Sequence, residues 1–83
     1  QNFPNPFNPE TKIVFNLPQA SNVKLKVYDV LGNEVGLVVN EFKSAGKNEI
    51  ELNADELNLS SGVYFYKLEA DDFFSVKKMV YLK

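Results

Sequence analysis

Between residues 11 and 17, Ile13, Phe15 and Leu17 alternate with Lys12, Val14 and Asn16. That is the period of two expected of a half-buried strand, whose successive side chains point to opposite faces. Pro18 to Asn22 supplies turn residues, and Val23, Leu25 and Val27 then alternate with Lys24, Lys26 and Tyr28. A turn over 29–33 follows, in which Gly32 can take positive φ without steric cost. Val35, Leu37 and Val39 form a third alternating set, so the two strands and their short loop read as one hairpin. After a turn at Ser44-Ala45-Gly46, Asn48, Ile50 and Leu52 alternate with Lys47, Glu49 and Glu51. Residues 53–61 are irregular, with Leu57 and Leu59 dipping inward and room for one short helical turn over 55–57. The strongest strand spans 62–70, with Tyr64, Tyr66, Leu68 and Ala70 on one face and Val63, Phe65, Lys67 and Glu69 on the other.

Asp71-Asp72 marks a tight hairpin into the last strand, 74–82, whose phase is open. One reading faces Phe74, Val76, Val80 and Leu82 inward, with Lys78 as the exception; a bulge near Lys77-Lys78 would instead bury Met79. No stretch sustains a 3.6-residue apolar period. Six strands separated by Gly, Asn, Asp and Pro turns predict an all-β, immunoglobulin-like antiparallel β-sandwich. The opening segment, 1–10, carries prolines at 4, 6 and 9. Proline lacks an amide donor and drives its predecessor toward extended geometry, so the segment is neither helix nor central strand. Phe3 and Phe7 are available to pin it to the core of the sandwich domain, 11–83, and it can add a seventh strand. The expected core is Ile13, Phe15, Val23, Leu25, Val27, Val35, Ile50, Leu52, Tyr64, Tyr66 and Leu68.

Composition narrows the function more than the fold. Eighty-three residues make one domain, and 45% apolar content suffices for a modest core without staples. The chain begins at Gln1 rather than a methionine, which suggests an excised or processed piece with an upstream partner. The net charge is −2 and all nine basic residues are lysines, so the arginine fork that grips phosphates and base edges is missing. No nucleic-acid partner is expected. No apolar run approaches the ~20 residues of a transmembrane helix, so no transmembrane segment is expected.

With neither histidine nor cysteine, serine triads, Cys–His dyads, disulfides and the usual zinc sites are excluded. Ser60 and Ser61 lack an activating base and read as turn residues. Glu49 and Glu51 read as a solvated face. Glu69, Asp71 and Asp72 could bind calcium weakly, although a polar hairpin tip explains them as well. The expectation is therefore no enzyme, no catalytic residue, no cofactor and no metal. Tyr28, Phe65 and Tyr81, read as outward-facing, could form a sugar-stacking platform. That keeps a carbohydrate- or surface-binding module open, alongside a structural spacer.

Four blocks in order carry a resemblance. They are Asn5-Pro6-Phe7-Asn8-Pro9 before a strand, the segment 25–35 (LKVYDVLGNEV), the segment 61–68 (SGVYFYKL) and the lysine-flanked end 77–83 (KKMVYLK). Together they resemble the type A C-terminal sorting domains of the bacterial type IX secretion system. The immunoglobulin-like domain of the flagellar hook-capping protein is similar in its opening and its terminal lysines. The sorting-domain resemblance implies an upstream passenger, an outer-membrane translocon that recognises the domain, and a surface protease that removes it, often with attachment of the passenger to surface lipopolysaccharide. It implies periplasmic transit, then a cell-surface or secreted destination. Candidate recognition residues are Asp29, Gly32 and Asn33 in the exposed turn and Lys77, Lys78 and Lys83 on the last strand. Turn geometry and the guarding of an edge strand account for the same residues structurally. That last strand is expected at a sheet edge with its lysines in water, because an unpaired charge is costly to bury.

Overall fold

The computed structural model describes residues 2–71 and 73–83. Among them, seven strands and no helix form two sheets. The strands are β1 (Asn2–Phe3), β2 (Glu10–Leu17), β3 (Ser21–Tyr28), β4 (Glu34–Lys43), β5 (Gly46–Asn53), β6 (Gly62–Ala70) and β7 (Phe73–Tyr81). Antiparallel ladders build a smaller sheet in the order β1-β2-β5 and a larger one in the order β4-β3-β6-β7. The chain crosses between sheets at 18–20, at 44–45 and through the irregular segment after β5, so each sheet turns one face to the other and one to water. This is the sandwich that the alternation predicts, with β3–β4 and β6–β7 as its hairpins.

The shared core is built from Ile13 and Leu17 of β2, Val23, Leu25 and Val27 of β3, Ile50 and Leu52 of β5, and Tyr64, Tyr66 and Leu68 of β6. Each fully buried aliphatic side chain contributes about 1.5–3 kcal/mol relative to exposure. Phe15 and Val35, expected inside, are only half-buried and pack against the core from its margin. The Tyr64 hydroxyl donates to the Ser60 carbonyl at 2.8 Å, four residues upstream. That bond has the form of the tyrosine corner of immunoglobulin-like sandwiches. Residues 54–58 make the short turn, bonded from Leu57 N–H to the Asn53 carbonyl and from Leu59 N–H to that of Ala54, with Leu59 buried and Leu57 half-buried.

Two strands depart from the expected alternation. In β4 the pairing with β3 slips twice, so that Val38 and Val35 are extra residues in the ladder. These bulges half-bury Val35, Val38 and Val39 and leave Leu37 exposed. In β7 the pairing with β6 runs unbroken from Gly62↔Tyr81 to Ala70↔Phe73, with no bulge at the lysine pair. Cross-strand partners share a face, and Tyr64 points inward, so Met79 opposite it is buried, as is Tyr81 two residues on. Phe74, Val76 and Leu82 face water instead. Burial of Tyr81 also removes one member of the expected aromatic platform, leaving Tyr28 and Phe65 as half-buried neighbours across β3 and β6. Of the Asp71-Asp72 turn, Asp72 lies outside the described residues.

The opening segment joins both sheets. Phe3 is exposed, but Asn2 and Phe7 are buried. The Asn2 amide donates to Thr11 Oγ1 and to the Pro4 carbonyl, both at 3.2 Å, and Thr11 Oγ1 donates to that carbonyl at 2.8 Å. Phe7 sits at the far side of the sandwich, against β7.

Candidate functional site

The turn after β3 is organised by one carboxylate. Asp29 Oδ1 accepts from the backbone N–H groups of Leu31 and Asn33, each at 2.9 Å, and Oδ2 accepts from the Asn33 amide at 3.4 Å. The Asp29 N–H donates to the Asn33 carbonyl at 3.0 Å, and the Gly32 N–H to the Asp29 carbonyl at 3.1 Å. Gly32 has φ +85°, a left-handed conformation that side chains disfavour. The Asn33 N–H is the main reason that the Asp29 carboxyl lies below its ordinary 3.8; partial desolvation opposes it, and the Asn33 side chain and the Leu31 and Gly32 amides add to it. With the carboxylate oxygens occupied inside the loop, the turn presents Val30, Leu31, Gly32 and Asn33 outward, Leu31 being 83% exposed.

The other element is the β7 edge, which the opening segment covers in part. The Phe7 N–H donates to the Val80 carbonyl at 3.0 Å and the Leu82 N–H to the Phe7 carbonyl at 3.1 Å. Asn5 extends the pairing with its side chain: Oδ1 accepts from the Val80 N–H at 2.9 Å, and Nδ2 reaches the Lys78 carbonyl at 3.4 Å. The Phe7 ring lies 5.3 Å from that of Tyr81, tilted by 30°. Residues 5–7 thus form a clasp in which one asparagine side chain stands in for a strand's backbone. Burial raises the Tyr81 hydroxyl above 10, and the Asp55 carboxylate, 3.5 Å away, adds to the rise.

Lys77, Lys78 and Lys83 are all exposed. The ion pairs among the described residues are Lys26–Glu34, Lys43–Glu41 and Lys67–Glu69, so none involves these three. Tyr28, Phe65 and Lys78 lie in one row across β3, β6 and β7, and the Lys83 N–H donates to Ser61 Oγ at 2.8 Å. The Asp29 turn, Lys78 and Lys83 are therefore gathered toward one end of the larger sheet, with Lys77 one residue further along β7. The outer face of that sheet carries Lys24, Lys26, Lys67 and Lys78 against Glu34 and Glu69, a cationic excess. The outer face of the smaller sheet carries Glu10, Glu49 and Glu51 against Lys12 and Lys47.

The sequence reading expected Phe7 to pin the opening segment, and Phe7 is buried in the core. What it missed is the strand that the segment meets and the part played by Asn5, because that partner lies more than seventy positions away. Among the described residues no group of three carboxylates converges as a metal site would require. A cleft of about 350 Å³ beside β1 is lined by Phe3, Pro4, Glu10, Thr11, Lys12 and Glu51, without a nucleophile held by a base.

The structure is thus a small sandwich whose last strand is tied to its own first residues. In comparison with known families, residues 1–82 match the family described as secretion system C-terminal sorting domain, and the chain belongs to it. It is a C-terminal sorting signal for type IX secretion, which implies an upstream passenger, interaction with the secretion machinery and export to the cell surface or beyond. No curated protein matches the chain.

Proposed function

We propose that the domain acts without catalysis, as a surface read by the outer-membrane translocon after the passenger reaches the periplasm, and that a surface protease then removes it. In this reading the sandwich, 11–83 with β1 and the clasp fastened to it, is the recognised body, and the passenger joins it through 1–10. The observation that carries the proposal is the β7 edge: Lys77, Lys78 and Lys83 stand in water without ion partners among the described residues, toward the same end of the sheet as the turn held by Asp29, Gly32 and Asn33, with β6 between. A translocon that reads shape and charge can reach all of these residues without unfolding the domain.

The test is a fluorescent passenger fused upstream of the chain in a type IX-competent host. The intact fusion should reach the surface. The combined Lys77→Ala, Lys78→Ala and Lys83→Ala variant should stay folded, since surface substitutions usually change stability by under ~0.5 kcal/mol, and should be retained. An intact fusion that stays in the periplasm would overturn the sorting mechanism. Normal export of the folded triple variant would remove the lysines from it.

A further inference from the structure

We infer that the uncovered stretch of the β7 edge, from Phe74 to Lys78, is a strand-addition site that takes an extended, acidic and apolar segment of the export machinery, laid end to end with the clasp. The inference rests on the sorting function and names how the machinery grips the domain.

Backbone geometry is the first support. In an antiparallel ladder, alternate residues turn their N–H and C=O groups toward the neighbouring strand, and those between turn them away. Val80 turns both groups away from β6, toward the clasp. The same period places the N–H and C=O of Phe74 and Val76, and the N–H of Lys78, on that outer edge. No described residue bonds them there. The clasp ends at Asn5 on the Lys78 carbonyl, so the open stretch begins where the covered one stops. This edge already accepts an extended segment over Lys78–Leu82, and its continuation offers the same groups in the same register.

Of the usual protections this stretch has lysines, gathered at its clasp end, but neither bulge nor proline. β7 holds nine consecutive pairs with β6 without a bulge, and 73–78 contains no proline. Regular, apolar, uncovered edges are the ones to which other strands add. Phe74 is 68% and Val76 50% exposed, both on the outer face.

Charge selects the occupant. Lys77 and Lys78 lie at the clasp end, and Asp71 lies at the hairpin end. The Lys67 ammonium stands 5.2 Å from the Phe74 ring centre while pairing with Glu69 at 3.6 Å. The fitting segment therefore has alternate apolar side chains beside Phe74 and Val76 and a carboxylate at the next position, against Lys77 on the other face. At about 3.3 Å per residue, the room between the hairpin and the clasp holds about five residues.

Two arms test the inference. In the first, the acetylated and amidated peptide Glu-Val-Thr-Val-Thr and its reverse are added to the 83-residue chain, and amide exchange is read by NMR. Two N-methylated forms of each peptide, one for each set of alternate amides, serve as controls. At about ten times its Kd, the better peptide should slow exchange at Phe74 and Val76 roughly ten-fold. One methylated form should lose that effect. No protection at millimolar peptide, or equal protection by both methylated forms, overturns the inference. Protection that grows with protein concentration alone assigns the edge to a second copy and also overturns it.

The second arm is Val76→Pro in the exported fusion. The Val76 N–H points away from β6, so proline removes the outward donor without breaking the ladder. With an unchanged melting point, this variant should lose export while the intact fusion is exported. Normal export of the variant overturns the inference and leaves the sorting function standing, whereas failure of the intact fusion removes the sorting function itself. If Val76→Pro does not fold, the peptide arm decides.

Discussion

Strands β4 and β7 flank the same sheet, and each leaves one side without a full neighbouring strand. β4 is broken by two bulges, where Val35 and Val38 interrupt its pairing with β3. β7 keeps unbroken register, and residues 5–7 cover only its far part. The bulges let β4 turn three valines toward the core margin, and they disrupt the regular row of amides that another strand would need. β7 retains that row. The core-facing needs of one edge thus close it, whereas the other edge is closed only as far as a second segment reaches.

The strongest way to break this contrast is to release the clasp. Phe7→Ala should cost about 3–5 kcal/mol, because the ring is fully buried against Tyr81. Urea unfolding gives the magnitude, and faster amide exchange at Val80 and Leu82 would show the whole β7 edge opened; a loss under about 1 kcal/mol would mean that Phe7 does not anchor the segment.

On the β4 side, a Cβ at Gly36 would lie 2.6 Å from Leu57 Cδ2. Leu57 is half-buried and can yield part of the way, so Gly36→Val should cost about 1–3 kcal/mol by thermal melting. An unchanged melting point would show that the bulged edge has slack.

Asn5→Ala removes the side chain that bonds Val80 and Lys78. Water can replace those exposed bonds, so the expected cost is about 0.5–1.5 kcal/mol, with the exchange effect confined to Val80.

The smallest effect concerns the turn that leads into β4. The Asp29 carboxyl is depressed in the folded state, so its stabilisation is present above the ordinary 3.8 and is lost as pH falls through the lower folded value. The Leu31 and Asn33 amide shifts should titrate with a midpoint below 3.8. A midpoint at or above that value would mean that the loop's bonds to Asp29 do not persist in solution.

The same contrast marks where the fold was legible in the sequence. In β3, Lys24 and Lys26 leave Val23, Leu25 and Val27 only one face to share, and they share it. In β7 both phases are apolar: Phe74, Val76, Val80 and Leu82 compete with Met79 and Tyr81. Local alternation cannot choose between them; pairing with β6 does, through the inward Tyr64 and the direct pairing of Ala70 with Phe73. Leu37 was misplaced for a related reason, since a bulge changes the phase without changing composition. Of the candidate surface, the turn was readable because Asp29, Gly32 and Asn33 carry local chemistry, and the three lysines lie in water as expected. The role of Asn5 was not readable, because an asparagine acting as a strand mimic is defined only by the strand it meets.

The clasp also bears on folding kinetics. The Asn5 contacts with Lys78 and Val80 join positions 73 and 75 apart in the chain. Such distant contacts are slow to form, since a long loop must close before they return any stabilisation. During synthesis they must wait until Val80 has left the ribosome, long after Asn5. A nascent chain, or one truncated before Val80, keeps residues 5–7 unfastened from β7. Closing of the clasp is therefore a late event, a seal set only once both sheets have their strands.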